Sequence, residues 1–221
     1  MDPAWFEEVL YPFQDEVLAV MARVETGFYL TGGTALGRVH LRHRYSEDLD
    51  LFVNDDDRFQ AWTDRLLAEW RGEAPWTVNV QRRDPRFIRA LLARHDAQLK
   101  IEFVNDVRGR VGVPARHARF GLVDTPENIL ANKVTALLDR EEPKDLADVW
   151  GLCQRGGLVL RDALVGAASK AVGVFAADVA RGLGGATPDD WRLVRWIPPS
   201  PTVDEFIRDL RGLGEDLLLV R

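Results

Sequence analysis

The sequence predicts an α/β (α+β) fold, with a small mixed sheet and flanking helices in the first part of the chain and a mainly helical second part. Three observations carry this. Short apolar segments with period-two alternation fall between residues 28 and 104, one of them runs directly into a Gly-Gly turn and a helical stretch, and beyond residue 125 apolar residues recur only at helical spacing. With 221 residues, 46% of them apolar, the chain can bury a real core in one large or two small domains. The boundary is expected near Gly121, giving domains 1–121 and 122–221.

Residues 2–24 read as a helix, started by Asp2 and Pro3 and carrying Phe6, Val9, Leu10, Phe13, Val17 and Met21 near helical spacing, with Pro12 expected to kink it. Phe28-Tyr29-Leu30 is a short strand leading into Thr31-Gly32-Gly33-Thr34 and the helical stretch Ala35–Val39. Residues 48–53 form the next strand. Asn54-Asp55-Asp56-Asp57 then caps a helix that shows Phe59, Trp62, Leu66 and Trp70 on one face and ends near Gly72. Strands follow at 76–80, 86–94 and 98–104, the last two joined through His95-Asp96-Ala97. Residues 109–121 read as an irregular connector ending in Leu122-Val123-Asp124.

The second part begins with Thr125-Pro126-Glu127, a cap followed by proline at the first helical position, and a stripe of Ile129, Leu130, Val134, Leu137 and Leu138. A second helix carries Lys144, Asp145, Leu146, Asp148, Val149, Trp150 and Leu152 up to Gly156-Gly157. Further helices are expected at 161–182 and 189–196. After Pro198-Pro199-Ser200-Pro201, a Thr202-to-Glu205 capping box starts the last one.

Composition narrows the function classes. The N-terminus lacks a basic segment followed by a long apolar one, and no apolar run approaches the roughly 18–20 residues of a membrane span, so no membrane association and a cytoplasmic location are expected. Cys153 has no second cysteine to pair with. A net charge of −6 argues against indiscriminate nucleic-acid binding. Between residues 82 and 100, however, five arginines and Lys100 face only Asp84 and Asp96; such a patch could grip phosphates, or arginine could simply be the usual solvating residue of a chain with 25 Arg and four Lys.

The chemistry centres on Asp48 and Asp50. On a strand both carboxylates point one way while Leu49 and Leu51 point into a core. Two like charges so placed call for a cation, and a hard ion such as Mg²⁺ is typically held by one or two carboxylates plus substrate phosphates. On the strand at 98–104, Leu99, Ile101 and Phe103 share one face and leave Lys100 and Glu102 on the other, making Glu102 the candidate third ligand. Adjacent glycines permit close backbone approach to a ligand, so Gly32, Gly33 and Thr34 are candidates to cradle phosphates. His40 and His43 make an incomplete zinc site, and the neighbouring carboxylates suit a harder ion. Arg42, His43, Arg44 and Ser46 are expected at the mouth of the pocket.

The segment LTGGTALGRVHLRHRYSEDLDLF resembles the signature of the AbiEii-type nucleotidyltransferases, a toxin-associated branch of the DNA polymerase β-like superfamily, and ENILANKVTALLDREEPKDLADVW resembles that family's downstream motifs. The resemblance implies a nucleotidyltransferase fold with a nucleotide cleft completed by the helical domain. It implies two Mg²⁺ (or Mn²⁺) ions on Asp48, Asp50 and Glu102, although aspartate is commoner at the last position. It places Arg44 and Ser46 in the R-x-S-x-D-L-D signature, and Lys133 and Asp145, with Asp148 as a substitute, beside the nucleotide. The expected reaction moves a nucleoside monophosphate from an NTP to an acceptor hydroxyl and releases pyrophosphate, with tRNA 3′ ends or other RNA as acceptor and a cognate antitoxin as possible partner. Other acceptors in related folds are proteins and small molecules. A catalytically silent NTP-binding module, or a toxin component acting by binding another protein, is the alternative of a different class.

Overall fold

The computed structural model describes residues 2–72, 76–95, 97–140 and 142–219. The chain divides into two compact units. One comprises Met1–Ala35, Glu47–Arg108 and Pro114–Asp124; the other comprises Leu36–Ser46, Gly109–Val113 and Thr125–Arg221. Neither is a continuous stretch: 36–46 and 109–113 leave the first half of the chain to join the helical unit.

The first unit holds one mixed sheet of seven strands: β1 Tyr29–Thr31, β2 Leu49–Asn54, β3 Thr77–Asp84, β4 Phe87–Arg94, β5 Ala97–Asp106, β6 Ala115–His117 and β7 Gly121–Val123, in the order β3-β4-β5-β2-β1-β7-β6. β2 lies parallel to β5 and antiparallel to β1, while β7 lies parallel to β1. Leu49, Leu51, Val53, Leu99, Ile101 and Phe103 are buried on one face, as the alternation predicts. An aromatic group closes this core: Phe103 is 5.2 Å from Phe28 and 5.7 Å from Trp70 between ring centroids, and Phe28 is 5.9 Å from Phe59. Trp70 belongs to the helix Phe59–Gly72 and donates its indole N–H to Val17 O at 3.2 Å, satisfying a buried polar group in the same step.

The proline expected to kink the first helix is accommodated differently. A π-helical turn, Phe6–Leu10, precedes the helix Tyr11–Arg23, and the Tyr11 N–H bonds to Phe6 O. Pro12 has no N–H to contribute to the regular ladder, and the wider turn absorbs the change of register just before it. The connector expected at 109–121 contains β6 and β7, whose three residues each are too few to show alternation. The first strand after the Phe59–Gly72 helix continues past residue 80 to Asp84.

The second unit contains the helices Pro126–Asp139, Pro143–Trp150, Leu160–Ala168, Ala176–Gly184, Pro188–Leu193 and Val203–Leu218. The single helix expected at 161–182 is therefore two. Buried Ala163 and Ala167 before the break, and Val179, Ala180 and Leu183 after it, keep an apolar pattern running across a break that periodicity cannot see. The helix expected at 189–196 stops at Leu193, because Trp196 instead bridges to Arg44 as isolated β structure. Among the described residues no helix is long and apolar enough to cross a membrane.

Candidate active site

In the first unit, Asp48 directly precedes β2 and Asp50 is its second residue. The parallel register sets Asp50 opposite Glu102 and Leu49 opposite Ile101, so the apolar pair faces the core and the acidic pair shares the other face. On β4, Arg89 stands opposite Glu102 in turn. Its guanidinium holds the Glu102 Oε1 at 2.7 Å from Nη2 and 2.9 Å from Nε. Lys100 Nζ lies 2.8 Å from Asp48 Oδ2 and 3.5 Å from Glu102 Oε1. Partial burial opposes the ammonium charge, but the hydrogen bond and charge of Asp48, with the charges of Glu102 and Asp50, outweigh it and raise the Lys100 pKa above its ordinary value.

The glycine turn is built into the same face. Gly32 has φ +66°, and a Cβ on it would sit 2.2 Å from Asp50 Oδ2, so only glycine admits the carboxylate there. The Thr34 hydroxyl, fully buried, donates a short hydrogen bond to Asp48 O. Gln14, also fully buried, donates to Glu47 O at 3.1 Å. β1 is anchored at its end by Thr31 Oγ1, which donates to Asp124 Oδ2 at 2.7 Å. Thr34 thus secures the strand that carries the acids.

The donors offered by Asp48 and Asp50 are carboxylate oxygens, which suit a hard divalent ion completed by substrate phosphates and water. Among the described residues, no three His, Cys, Asp or Glu side chains gather tightly enough to enclose an ion by themselves. The pair fits the half-shell Mg²⁺ uses; Glu102, held by Arg89 and Lys100, stands beside it.

The second unit contains a buried charge network. Asp148, fully buried, accepts from Arg44 Nε at 2.6 Å and Nη2 at 2.7 Å, from His43 Nε2 at 2.9 Å, and from Lys133 Nζ at 2.7 Å. Lys133 Nζ also reaches Asp145 Oδ1 at 2.7 Å, and Arg140 Nε holds Asp145 Oδ2 at 2.9 Å. Burial disfavours both aspartate charges, yet the cations win. Arg44 and Lys133 hold the Asp148 pKa well below the usual carboxylate range, and Lys133 and Arg140 lower that of Asp145. Burial likewise opposes the charge of Lys133, and the two aspartates raise its pKa all the same.

His43 departs from the expectation of a pocket-mouth residue. It is fully buried, and burial lowers its pKa against the pull of Asp148. The neutral ring donates from Nε2 and leaves Nδ1 without a hydrogen-bond partner. Arg44 is also inside, 5% exposed, and so is Ser46 at 9%; only Arg42 of the four is exposed. Backbone pairing secures the segment: Ile197 N–H bonds to His43 O at 2.9 Å and Tyr45 N–H to Arg195 O at 2.8 Å. A Cβ on Gly151 would fall 2.9 Å from His43 Cδ2, so the glycine gives the imidazole its place.

The arginines of the basic stretch are individually paired: Arg82 with Asp84, Arg83 with Asp64, Arg86 with Asp55, Arg89 with Glu102 and Arg94 with Glu16. Their charge is neutralised locally, and Asp96 lies outside the described residues. His43, Arg44 and Asp148 as one cluster were not legible in the sequence, since more than a hundred residues separate the partners and no spacing rule links them.

In the first unit a mixed sheet bears a glycine turn packed on the Asp50 carboxylate, an arrangement in keeping with a nucleotidyltransferase. The profile of the family described as nucleotidyl transferase AbiEii toxin, type IV TA system, matches residues 19–205, and the chain belongs to that family of nucleotidyltransferases. The fold is similar to that of MenT4, nucleotidyltransferase toxin Rv2826c from Mycobacterium tuberculosis H37Rv, with TM-score 0.67 and 19% identity over 99% of this chain and 86% of that one. It is also similar to JHP933 from Helicobacter pylori, with TM-score 0.65 and 17% identity over 98% of this chain and 93% of that one. No curated protein matches the chain.

Proposed function

We propose that this nucleotidyltransferase moves a nucleoside monophosphate from an NTP to a hydroxyl at the end of an RNA, such as a tRNA 3′ end, in a reaction dependent on Mg²⁺ or Mn²⁺. The observation that carries the site assignment is the contact of the Asp50 carboxylate with Gly32, which joins the glycine turn and the acid strand into one structure. The acceptor oxygen attacks the α-phosphorus, the bond to the bridging oxygen of the β-phosphate breaks, pyrophosphate leaves, and the hydroxyl proton passes to a base. Asp48 and Asp50 would hold the divalent ion, which when bound neutralises phosphate charge and orients the reacting oxygens. The remaining protein contribution is positional. Gly32 and Thr34 keep the acids in place, and the backbone around Gly33 is the candidate phosphate contact. On the family resemblance, Lys133 and Asp145 are assigned to the nucleotide side of the reaction, together with Arg44 and Ser46.

RNA as acceptor rests on the family resemblance and the toxin character of the family; the paired arginines add nothing to it. The test is incubation of the full chain with each α-³²P-labelled NTP, Mg²⁺ or Mn²⁺, and total RNA. Label on RNA that disappears with Asp50→Asn is expected. Label on the protein itself, or on no macromolecule, would redirect the acceptor. Tight NTP binding without pyrophosphate release would favour a silent binding module.

A further inference from the structure

The acid face of the first unit already contains a cation. Lys100 and Glu102 project from β5 beside Asp48 and Asp50, and Lys100 Nζ bridges the Asp48 and Glu102 carboxylates at 2.8 and 3.5 Å. Glu102 is further tied to Arg89 at 2.7 Å. Asp48, Asp50 and Glu102 carry three negative charges, and Lys100 and Arg89 offset two of them. One divalent ion would bring these five side chains to a single net positive charge, which suits a polyanionic substrate. A second ion beside Lys100 would face like-charge repulsion before the substrate arrived, and would compete for the Asp48 oxygen that the ammonium holds. Lysine is a compact point charge with three donors, suited to stand where an ion would otherwise sit.

We propose that Lys100 replaces the nucleophile-side metal ion, so that the site takes one divalent cation, held by Asp48 and Asp50 with the triphosphate. Glu102 then acts as a positioning residue: with Arg89 behind it, it keeps Lys100 on Asp48. This rests on the nucleotidyl-transfer reading above and departs from the two ions that the family resemblance implies.

The experiment counts ions without requiring turnover. Mn²⁺ is titrated by electron paramagnetic resonance into the full chain with an equimolar α,β-methylene ribonucleoside triphosphate, each of the four bases in turn. One protein-dependent Mn²⁺ per ternary complex is expected for the wild type and for Lys100→Arg, and two for Lys100→Met or, should that variant fail to fold, Lys100→Gln. Two ions in the wild type overturn the proposal, as does a single ion in the variants without the charge. A wild type that binds no more Mn²⁺ than the nucleotide alone does would instead sink the metal-dependent reading on which the proposal depends.

Discussion

The Asp50 carboxylate occupies the space that a side chain on Gly32 would need: a Cβ there would stand 2.2 Å from Oδ2 and 3.1 Å from Cγ. Two residues 18 positions apart therefore act as one structural unit. Strand β2 brings the acid, β1 ends at the glycine, and the antiparallel pairing of Thr31 with Asp50 sets their register.

Gly32→Ala is expected to be damaging to activity beyond its cost in stability. The positive φ costs about 1–2 kcal/mol for an L side chain, and the displaced Asp50 carboxylate should lower transfer on the order of 100-fold, the cost typical of an ångström-scale misplacement. Asp50→Asn has nearly the same shape and should melt close to the wild type while losing transfer. Undiminished transfer by Asp50→Asn, measured as pyrophosphate release, would refute the role of the acid pair.

Asp148 and Asp145 should differ in their contribution to stability. Asp148→Asn leaves buried Arg44 and Lys133 short of a counter-charge and is expected to destabilise by about 3–5 kcal/mol, the range for breaking a buried ion pair. Asp145→Asn should cost less, because Arg140 has a side chain 47% exposed and can turn to water. Urea denaturation of the two variants decides the order; equal losses would contradict the central place given to Asp148.

Stability should weaken in mild acid through His43. Its folded pKa lies below the ordinary 6.5 because burial disfavours the imidazolium, so the unfolded chain takes up the proton first and stability falls as pH drops below about 6.5. Asp148 contributes in the same direction but lower: its pKa is depressed in the fold, so its stabilisation is complete above the unfolded value of about 3.9 and is lost as pH falls through the folded one. Urea midpoints between pH 7.5 and 5 should decline for the wild type and be flatter for His43→Gln, whose amide can still donate to Asp148. Parallel profiles would remove His43 from this account.

Cys153, half-buried, should behave as an unreactive thiol. Burial pushes its pKa up to about 12, which leaves almost no thiolate at pH 8. Reaction with Ellman's reagent should be slow in the native protein and immediate in urea. Fast native labelling would show that the thiol is more accessible than its surroundings indicate.

Much of the fold was legible because local rules act over a few residues. The alternation in 48–53 and 98–104, the Thr125-Pro126 helix start and the Thr202–Glu205 capping box each appear in the structure. What escaped depended on partners distant in sequence. β7 exists because it pairs with β1, the Leu160–Ala168 helix ends at a break that leaves the apolar pattern running on, and the Pro188–Leu193 helix stops because Trp196 joins Arg44.

The order of strand, Gly-Gly turn and aspartate pair, together with the motifs that mark the family, was determined by the sequence alone, since side-chain period and glycine stereochemistry are local properties. Only the tertiary structure decided that Lys100 stands among the acids and that Asp148 gathers His43, Arg44 and Lys133. Charges settle on whichever opposite charge folding brings within hydrogen-bond reach, and that choice is made by strand register and helix packing across distances no spacing rule spans.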